Sequence, residues 1–216
     1  MARTLTPDAL RHALSAHGHV EVPALPGRSN HIRAGVLVPV SFGGDLEVIL
    51  TQRAANLRQH AGEVCFPGGR PEEQDLSLEA TALREAKEEI ALSGAEVLGR
   101  LSSIPVYTSD HRLEPFVSTL GTAPLRPAPG EVARILKLNV EQTLRLPHLD
   151  SIPWEEGHMK HLSPVFHIED ALVFGATAYV LYELLGLIAP LLDLHLPKSV
   201  AGSLRWQDVL HFRGRS

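Results

Sequence analysis

An α/β fold, a mixed sheet with helices on two faces, is predicted from three features of this 216-residue sequence. Several short segments carry strand signals, one amphipathic helix lies mid-chain, and one strongly apolar helix lies late. With 44% hydrophobic and 21% charged residues the chain is long enough for one sizeable core, and two full domains would be a squeeze.

Taken in order, Thr6-Pro7-Asp8-Ala9-Leu10 opens a short helix, with Thr6 as N-cap, Pro7 in the first turn and Leu10 and Leu14 on one face. Val20 to Arg28, rich in Pro and Gly, reads as a strap. Arg33–Val40 and Leu46–Thr51 are strand-like and joined across Gly43-Gly44-Asp45 as a hairpin. Pro39 points to an edge or bulge position, because proline has no N–H for a ladder.

A glycine turn at Gly68-Gly69 leads through a polar loop into the mid-chain helix. With Leu83 at zero and 100° per residue, Leu76, Ala80, Ala86 and Ile90 fall within roughly 60° of it as one apolar stripe. Glu85, Glu88 and Glu89 fall together on the opposite side. Lys87 lies near the stripe, with its stem expected along the core edge. Like charges at these spacings repel by about 0.2–0.5 kcal/mol per pair on a solvated helix. The acidic face is therefore either a plain solvated surface or a site for a divalent cation, since Mg²⁺ and Mn²⁺ take hard oxygen ligands.

Strand signals follow at Ala95–Val106 and Leu113–Leu120, then a Pro/Gly break from Pro124 to Gly130. Glu131–Val140 reads as a strand and Glu141–Leu146 as a helical turn. Val165–Ile168 and Ala171–Phe174 form a small hairpin before a helix from about Ala176 to Leu187. Leu191 to Ser216 has weak periodicity, and packing back, swapping to a partner and fraying all stay open, a homodimer among them. The organisation expected is residues 1–30 as helix and strap, 31–190 as the main domain and 191–216 as an extension.

A net charge of −5 gives no footprint for nonspecific nucleic-acid binding, so a polyanionic ligand needs local Arg, Lys or metal. Cys65 is the only cysteine, which excludes an intramolecular disulfide, and between Val64 and Phe66 it reads as a small buried hydrophobe. There is no signal-peptide pattern, and the run Ala176–Leu194 contains Glu183, Pro190 and Asp193, which suits a buried helix rather than a membrane span. A soluble, cytoplasmic protein with no nucleic-acid or membrane partner is expected. His158, His161 and His167 are too loosely spaced, with no cysteine nearby, for the usual zinc patterns. Trp154 and Trp206 could stack on adenine, with packing as the default for both.

Arg84-Glu85-Ala86-Lys87-Glu88-Glu89-Ile90-Ala91-Leu92 resembles the second half of the Nudix box, G-x5-E-x7-R-E-U-x-E-E-x-G-U. It departs at Ala91, where Gly is usual; Asp75 stands where the early Glu is expected, and Gly69 precedes Arg84 by one residue too many. Upstream, Leu50-Thr51-Gln52-Arg53-Ala54, Arg58 and Gly62-Glu63-Val64-Cys65-Phe66-Pro67-Gly68-Gly69 are similar to the signature of coenzyme A pyrophosphatases, a Nudix subfamily whose box is also one residue longer. Gly130-Glu131-Val132 resembles the later Glu-Val that many Nudix enzymes place near the metals. Phe174-Gly175-Ala176-Thr177-Ala178 resembles a W-G-x-T-A element with Phe for Trp. The resemblance covers roughly residues 30 to 190.

The resemblance implies an α/β/α sandwich around a mixed β-sheet and metal-dependent hydrolysis of a diphosphate. The products from coenzyme A or acyl-CoA would be 4′-phosphopantetheine (or its acyl form) and adenosine 3′,5′-bisphosphate. It implies Mg²⁺ or Mn²⁺ held by Glu85, Glu88 and Glu89, with Gly68 and Gly69 bringing backbone N–H groups towards the phosphates. Arg84 would lock the loop to the helix through a carboxylate. Glu131 is the first candidate for the general base, Glu85 the second and Glu114 a distant third. Arg53 and Arg58 lie in the subfamily segment, and at least one would read the 3′-phosphate, because arginine suits bidentate phosphate contacts. Two other readings stand beside it: a Nudix pyrophosphatase for another nucleoside diphosphate derivative such as ADP-ribose, and a noncatalytic nucleotide-binding module.

Overall fold

The computed structural model describes residues 4–156 and 159–210. Helix α1 (Pro7–His17) starts as expected: the Thr6 hydroxyl accepts from the Ala9 N–H at 3.2 Å, and Leu10 and Leu14 are buried. Strands β1 (Ile32–Ser41) and β2 (Glu47–Arg53) pair antiparallel next to their turn. Then come β3 (Val64–Cys65), β4 (Gly68–Gly69), α2 (Leu78–Ile90), β5 (Val97–Arg100), β6 (Ile104–Pro105) and β7 (His111–Thr119). β8 (Val132–Asn139), α3 (Val140–Leu144), β9 (Leu149–Glu156) and β10 (Met159–Pro164) follow. The described chain ends with β11 (Phe166–Ile168), β12 (Ala171–Val173), α4 (Gly175–Leu191), β13 (Ser199–Ala201) and α5 (Trp206–Leu210).

The main sheet runs β3-β2-β1-β7-β5, with β4 on β1, β6 on β7 and β8 on β2. β1 and β7 are parallel and the other pairs antiparallel, so the sheet is mixed. Alternation along the strands divides the core between its faces. Leu37, Ile49 and Phe116 pack with Ala82, Ala86 and Ile90 of α2. Val36, Val38, Val48 and Leu50 pack on the other side, with Leu10 and Leu14 of α1 and Leu181, Leu184 and Ile188 of α4. The result is the α/β/α sandwich. Gly35 lets α2 come this close: a Cβ there would sit 2.2 Å from the Leu78 carbonyl oxygen.

Several expectations need correction. Pro39 lies in a central strand, paired with Ser118 of β7 on one side. Its absent N–H faces the gap between the β1–β4 ladder (Gly35, Val36) and the β1–β2 ladder (Val40, Ser41), so no partner is lost. Leu76 is 98% exposed rather than part of the apolar stripe, because Ser77 caps α2 by accepting from the Ala80 N–H at 3.1 Å. Lys87 is exposed.

The C-terminal stretch packs back. Ser199, Val200 and Ala201 pair parallel with Leu149, Asp150 and Ser151 of β9, and Val209 is buried with Ile152 and Val165. Among the described residues, no helix is long and apolar enough to cross a membrane.

Candidate active site

Arg84 is the hub of the loop before α2. Its Nε and Nη2 donate to Asp75 at 3.1 and 3.0 Å, its Nη1 to Glu88 at 3.1 Å and its Nη2 to the Arg70 carbonyl at 3.2 Å. Glu85 lies 3.0 Å from Nη2. Asp75 also accepts from the Thr81 hydroxyl and the Glu72 N–H, at 3.0 and 2.9 Å. Arg84, followed by these donors, holds Asp75 well below the usual carboxylate range, at about 2. Asp75 thus takes the loop-bracing position where the sequence pattern led us to expect glutamate.

The three glutamates in the second half of α2 do not share one environment. Glu88 faces solvent beside Arg84 and Glu85 is half-buried, whereas Glu89 is buried. The 126–128 segment covers the end of α2, with Arg126 and Ala128 donating their N–H groups to the Ile90 and Glu89 carbonyls at 3.0 and 2.8 Å. Burial, partly offset by Arg53, pushes the Glu89 carboxyl up to about 7, with Glu85 and Glu131 adding repulsion and the Gly68 N–H hydrogen-bonding it. Glu85 is raised too, first by burial, against the pull of Arg84. Glu89 Oε2 is buried and has no hydrogen-bond partner.

Gly68-Gly69, expected as a turn, is instead the short strand β4 on β1; it lies beside this acidic end of α2 and lines a cleft. A Cβ on Gly69 would fall 2.2 Å from Glu85 Oε1 and displace that carboxylate, and one on Gly68 would meet the Gly35 carbonyl oxygen at 2.5 Å. The cleft, about 260 Å³, is lined also by Arg53, Cys65, Phe66, Arg70 and the N-terminus of α4 at Gly175–Thr177. Arg53 has its Nε buried with no hydrogen-bond partner. Arg58 is exposed and does not line the cleft.

Other candidates fall elsewhere. Glu131 is exposed but close enough to raise Glu89. Glu114 is buried, bound by Arg33 and by the Ser103 hydroxyl at 2.9 Å, so it braces β1 against β7 rather than facing a water. Burial, with Glu89 adding repulsion, lifts the Cys65 thiol to about 11, a poor nucleophile. His158 lies outside the described residues; His161 stacks on Trp154 at 4.4 Å, and His167 lies 3.8 Å from Asp150. Among the described residues, no group of three or more His, Cys, Asp or Glu side chains encloses a cation position, Glu88 being engaged by Arg84.

Sequence reasoning missed Arg70 and His111, and gave Trp206 only a packing default. Arg70 Nε donates to His111 Nε2 at 2.9 Å, while His111 Nδ1 lies 3.0 Å from Ser109 Oγ. Arginine can only donate, so Nε2 is the acceptor and Nδ1 carries the proton. Arg70 could have been suspected from its place directly after Gly69. His111 carries no local signal.

A family model described as "NUDIX domain" matches residues 30–155. A protein of Escherichia coli O1:K1, described as an uncharacterized Nudix hydrolase NudL, is 36% identical over 161 residues, 72% of this chain and 82% of the relative. The Shigella boydii serotype 18 counterpart gives the same figures. Among solved structures, a MutT/nudix family protein from Enterococcus faecalis is similar at TM-score 0.45 and 17% identity, over 74% of this chain and 62% of that one. The MutT protein of Methanosarcina mazei Go1 is similar at TM-score 0.41 and 21% identity, over 53% and 81%.

Proposed function

The chain belongs to the NUDIX domain family and is a hydrolase of diphosphate anhydrides, and from that premise we propose that its substrate is coenzyme A or an acyl-CoA. Cleavage of the diphosphate would give 4′-phosphopantetheine, or its acyl form, and adenosine 3′,5′-bisphosphate. The observation that carries the reading is Arg53 of the Leu50–Gly69 motif in the cleft wall, its Nε unmatched, in the same cavity as Gly69, which abuts Glu85. A substrate diphosphate beside Gly69 sets its 3′-phosphate within the charge field of the cleft arginines.

Nudix hydrolases generally use divalent metal ions. The residues here fit one in their chemistry: Glu85, Glu88 and Glu89 are hard oxygen donors, and the orphaned Glu89 Oε2, repelled by Glu85 and Glu131, carries charge that Arg53 only partly offsets. Glu85, Glu88 and Glu89 would hold Mg²⁺ or Mn²⁺, which supplies electrophilic neutralisation of the diphosphate oxygens and acidifies a water. Arg84 keeps the loop and helix in register, while the Gly68 N–H, expected to face the phosphates, is instead given to the Glu89 carboxylate, and Gly69 lines the cleft. Glu131 takes the proton of the attacking water, with Glu85 next in line. Because the charge of a phosphoryl transition state spreads over its oxygens, placement and neutralisation are the main tasks of these residues.

The experiment is incubation of the pure protein with coenzyme A and Mn²⁺, with chromatography for adenosine 3′,5′-bisphosphate. Turnover of ADP-ribose with no bisphosphate from coenzyme A overturns the substrate assignment. Arg53→Ala, assayed on both substrates, reads the 3′-phosphate contact: coenzyme A turnover should fall more than ADP-ribose turnover, whereas Arg58→Ala, outside the cleft, should leave the ratio unchanged.

A further inference from the structure

Two aromatic side chains from distant parts of the chain meet at the cleft. Tyr107 and Trp206 stack with ring centroids 5.6 Å apart and planes 16° from parallel, and both line the cavity. Each is held from behind. The 106–111 loop carrying Tyr107 hangs on the buried Asn30, whose Nδ2 donates to the carbonyls of Val106, Ser109 and His111 at 3.1, 3.0 and 3.0 Å. Trp206 belongs to the small cluster of Ile152, Val165 and Val209 that anchors the C-terminal segment, with Phe174 at its edge. Tyr107 remains 54% exposed although the stack is fixed.

We propose that the Tyr107–Trp206 pair is the seat of the adenine ring, so that residues 199–210 complete the nucleoside subsite of this same site. The inference rests on the diphosphatase reading above. A rigid, partly open aromatic pair offers dispersion and quadrupole contact to a flat heterocycle and gives little to a flexible pantetheine arm. At 5.6 Å the two rings leave no room for a third between them, so the base packs on the pair from the cleft. Arg53 and Arg70 line the same cavity, which places cations beside the phosphates that a nucleotide would carry. The Nudix model match ends at residue 155, so Trp206 lies outside it.

Trp154 and Trp206 are the only tryptophans, and Trp154→Phe leaves Trp206 as the sole indole, read by excitation at the red edge where the three tyrosines do not absorb. In that variant, with EDTA present to prevent turnover, adenosine 3′,5′-bisphosphate should quench emission saturably and 4′-phosphopantetheine should not. Adding Tyr107→Ala should weaken the bisphosphate titration roughly 10-fold or more. Trp206→Ala should raise KM for coenzyme A roughly 10-fold with kcat changed less than twofold, and Trp206→Phe should recover most of that loss. No quenching by the bisphosphate, equal quenching by both ligands, or a loss confined to kcat overturns the assignment. If Trp206→Ala fails to fold, the titration decides alone, since Trp154→Phe leaves the stack intact. Coenzyme A turnover without quenching sinks the subsite only; quenching without coenzyme A turnover sinks the substrate reading only.

Discussion

Arg70 donates its Nε–H to Nε2 of His111 across 2.9 Å, tying the loop before the acidic helix to the loop that carries Tyr107. The contact needs a neutral imidazole, because protonated Nε2 has no lone pair to offer. Burial first, then Arg70 and His60, depress the His111 pKa below its unfolded value of 6.5. The unfolded chain therefore binds this proton more readily than the native one. The contribution is complete above pH 6.5 and is lost as pH falls from there towards the depressed native value. Thermal melts between pH 7.5 and 5.5 should show His111→Gln losing less stability than the wild type. Parallel pH profiles would remove this role for His111.

Asp75 reaches Arg84 through two nitrogens and accepts from Thr81 and Glu72 as well, so Asp75→Asn should loosen the loop from Glu72 to Ser77. Its native pKa of about 2 lies below the unfolded 3.8, so the stabilisation is present above about pH 4 and disappears as pH falls towards 2. The variant should melt lower than wild type at pH 7, and the two should converge near pH 2. Activity should drop with it, since Arg84 also holds Glu85 and Glu88. An Asp75→Asn protein with unchanged melting at pH 7 contradicts the bracing role.

The apolar stripe of α2 was legible in part: Ala86 and Ile90 are wholly buried, but Ala80 and Leu83 are only half-buried, and Ala82, which the stripe left out, is wholly buried. The same periodicity put Glu89 with Glu85 and Glu88 on a polar face, yet Glu89 is 6% exposed. Around its carboxylate stand Arg53, Cys65 and the Gly68 N–H, from β2, β3 and β4, and no local pattern in the helix reports such neighbours. Likewise β9 and β10 carry Pro153 and Pro164 with scattered polar residues, which masks a strand signature. The pairing of β9 with β13 is a long-range parallel contact, invisible to short windows. Tyr107 and Trp206 show the limit most clearly, since neither position announces the other.

Ala91 departs from the Nudix pattern in a place with a physical price. It caps α2 at φ 56°, ψ 25°, the left-handed region where a Cβ is crowded. Ala91→Gly removes that strain at the cost of some unfolded-state entropy, and it should stabilise the protein by about 0.5–1 kcal/mol. That corresponds to roughly 1–4 °C in the melting midpoint of a chain this size. A lower midpoint would show that the unfolded-state term dominates.

Cys65 lines the cleft, but its thiol is lifted to about 11, so at pH 8 about one thiol in a thousand is ionised. A thiol reagent at pH 8 should label the native protein far more slowly than the urea-unfolded chain. Rapid native labelling would contradict the buried, protonated thiol.

Glu89 gives the sharpest separation of stability from function. Its Oε2 is buried without a partner, and its neighbours Glu85 and Glu131 repel it. In EDTA that charge is a burden, so Glu89→Gln should melt higher than wild type, by an amount on the order of 1–3 kcal/mol. With Mn²⁺ the order should reverse, because a ligand that binds only the native state stabilises it in proportion to the logarithm of its saturation. Calorimetry should show weakened Mn²⁺ binding in Glu89→Gln, and diphosphate turnover should fall on the order of 10²-fold. Glu88→Gln, exposed and paired with Arg84, should lose turnover without the gain in EDTA. If Glu89→Gln binds Mn²⁺ as wild type does and keeps its turnover, the buried carboxylate is a structural group and the cation belongs elsewhere.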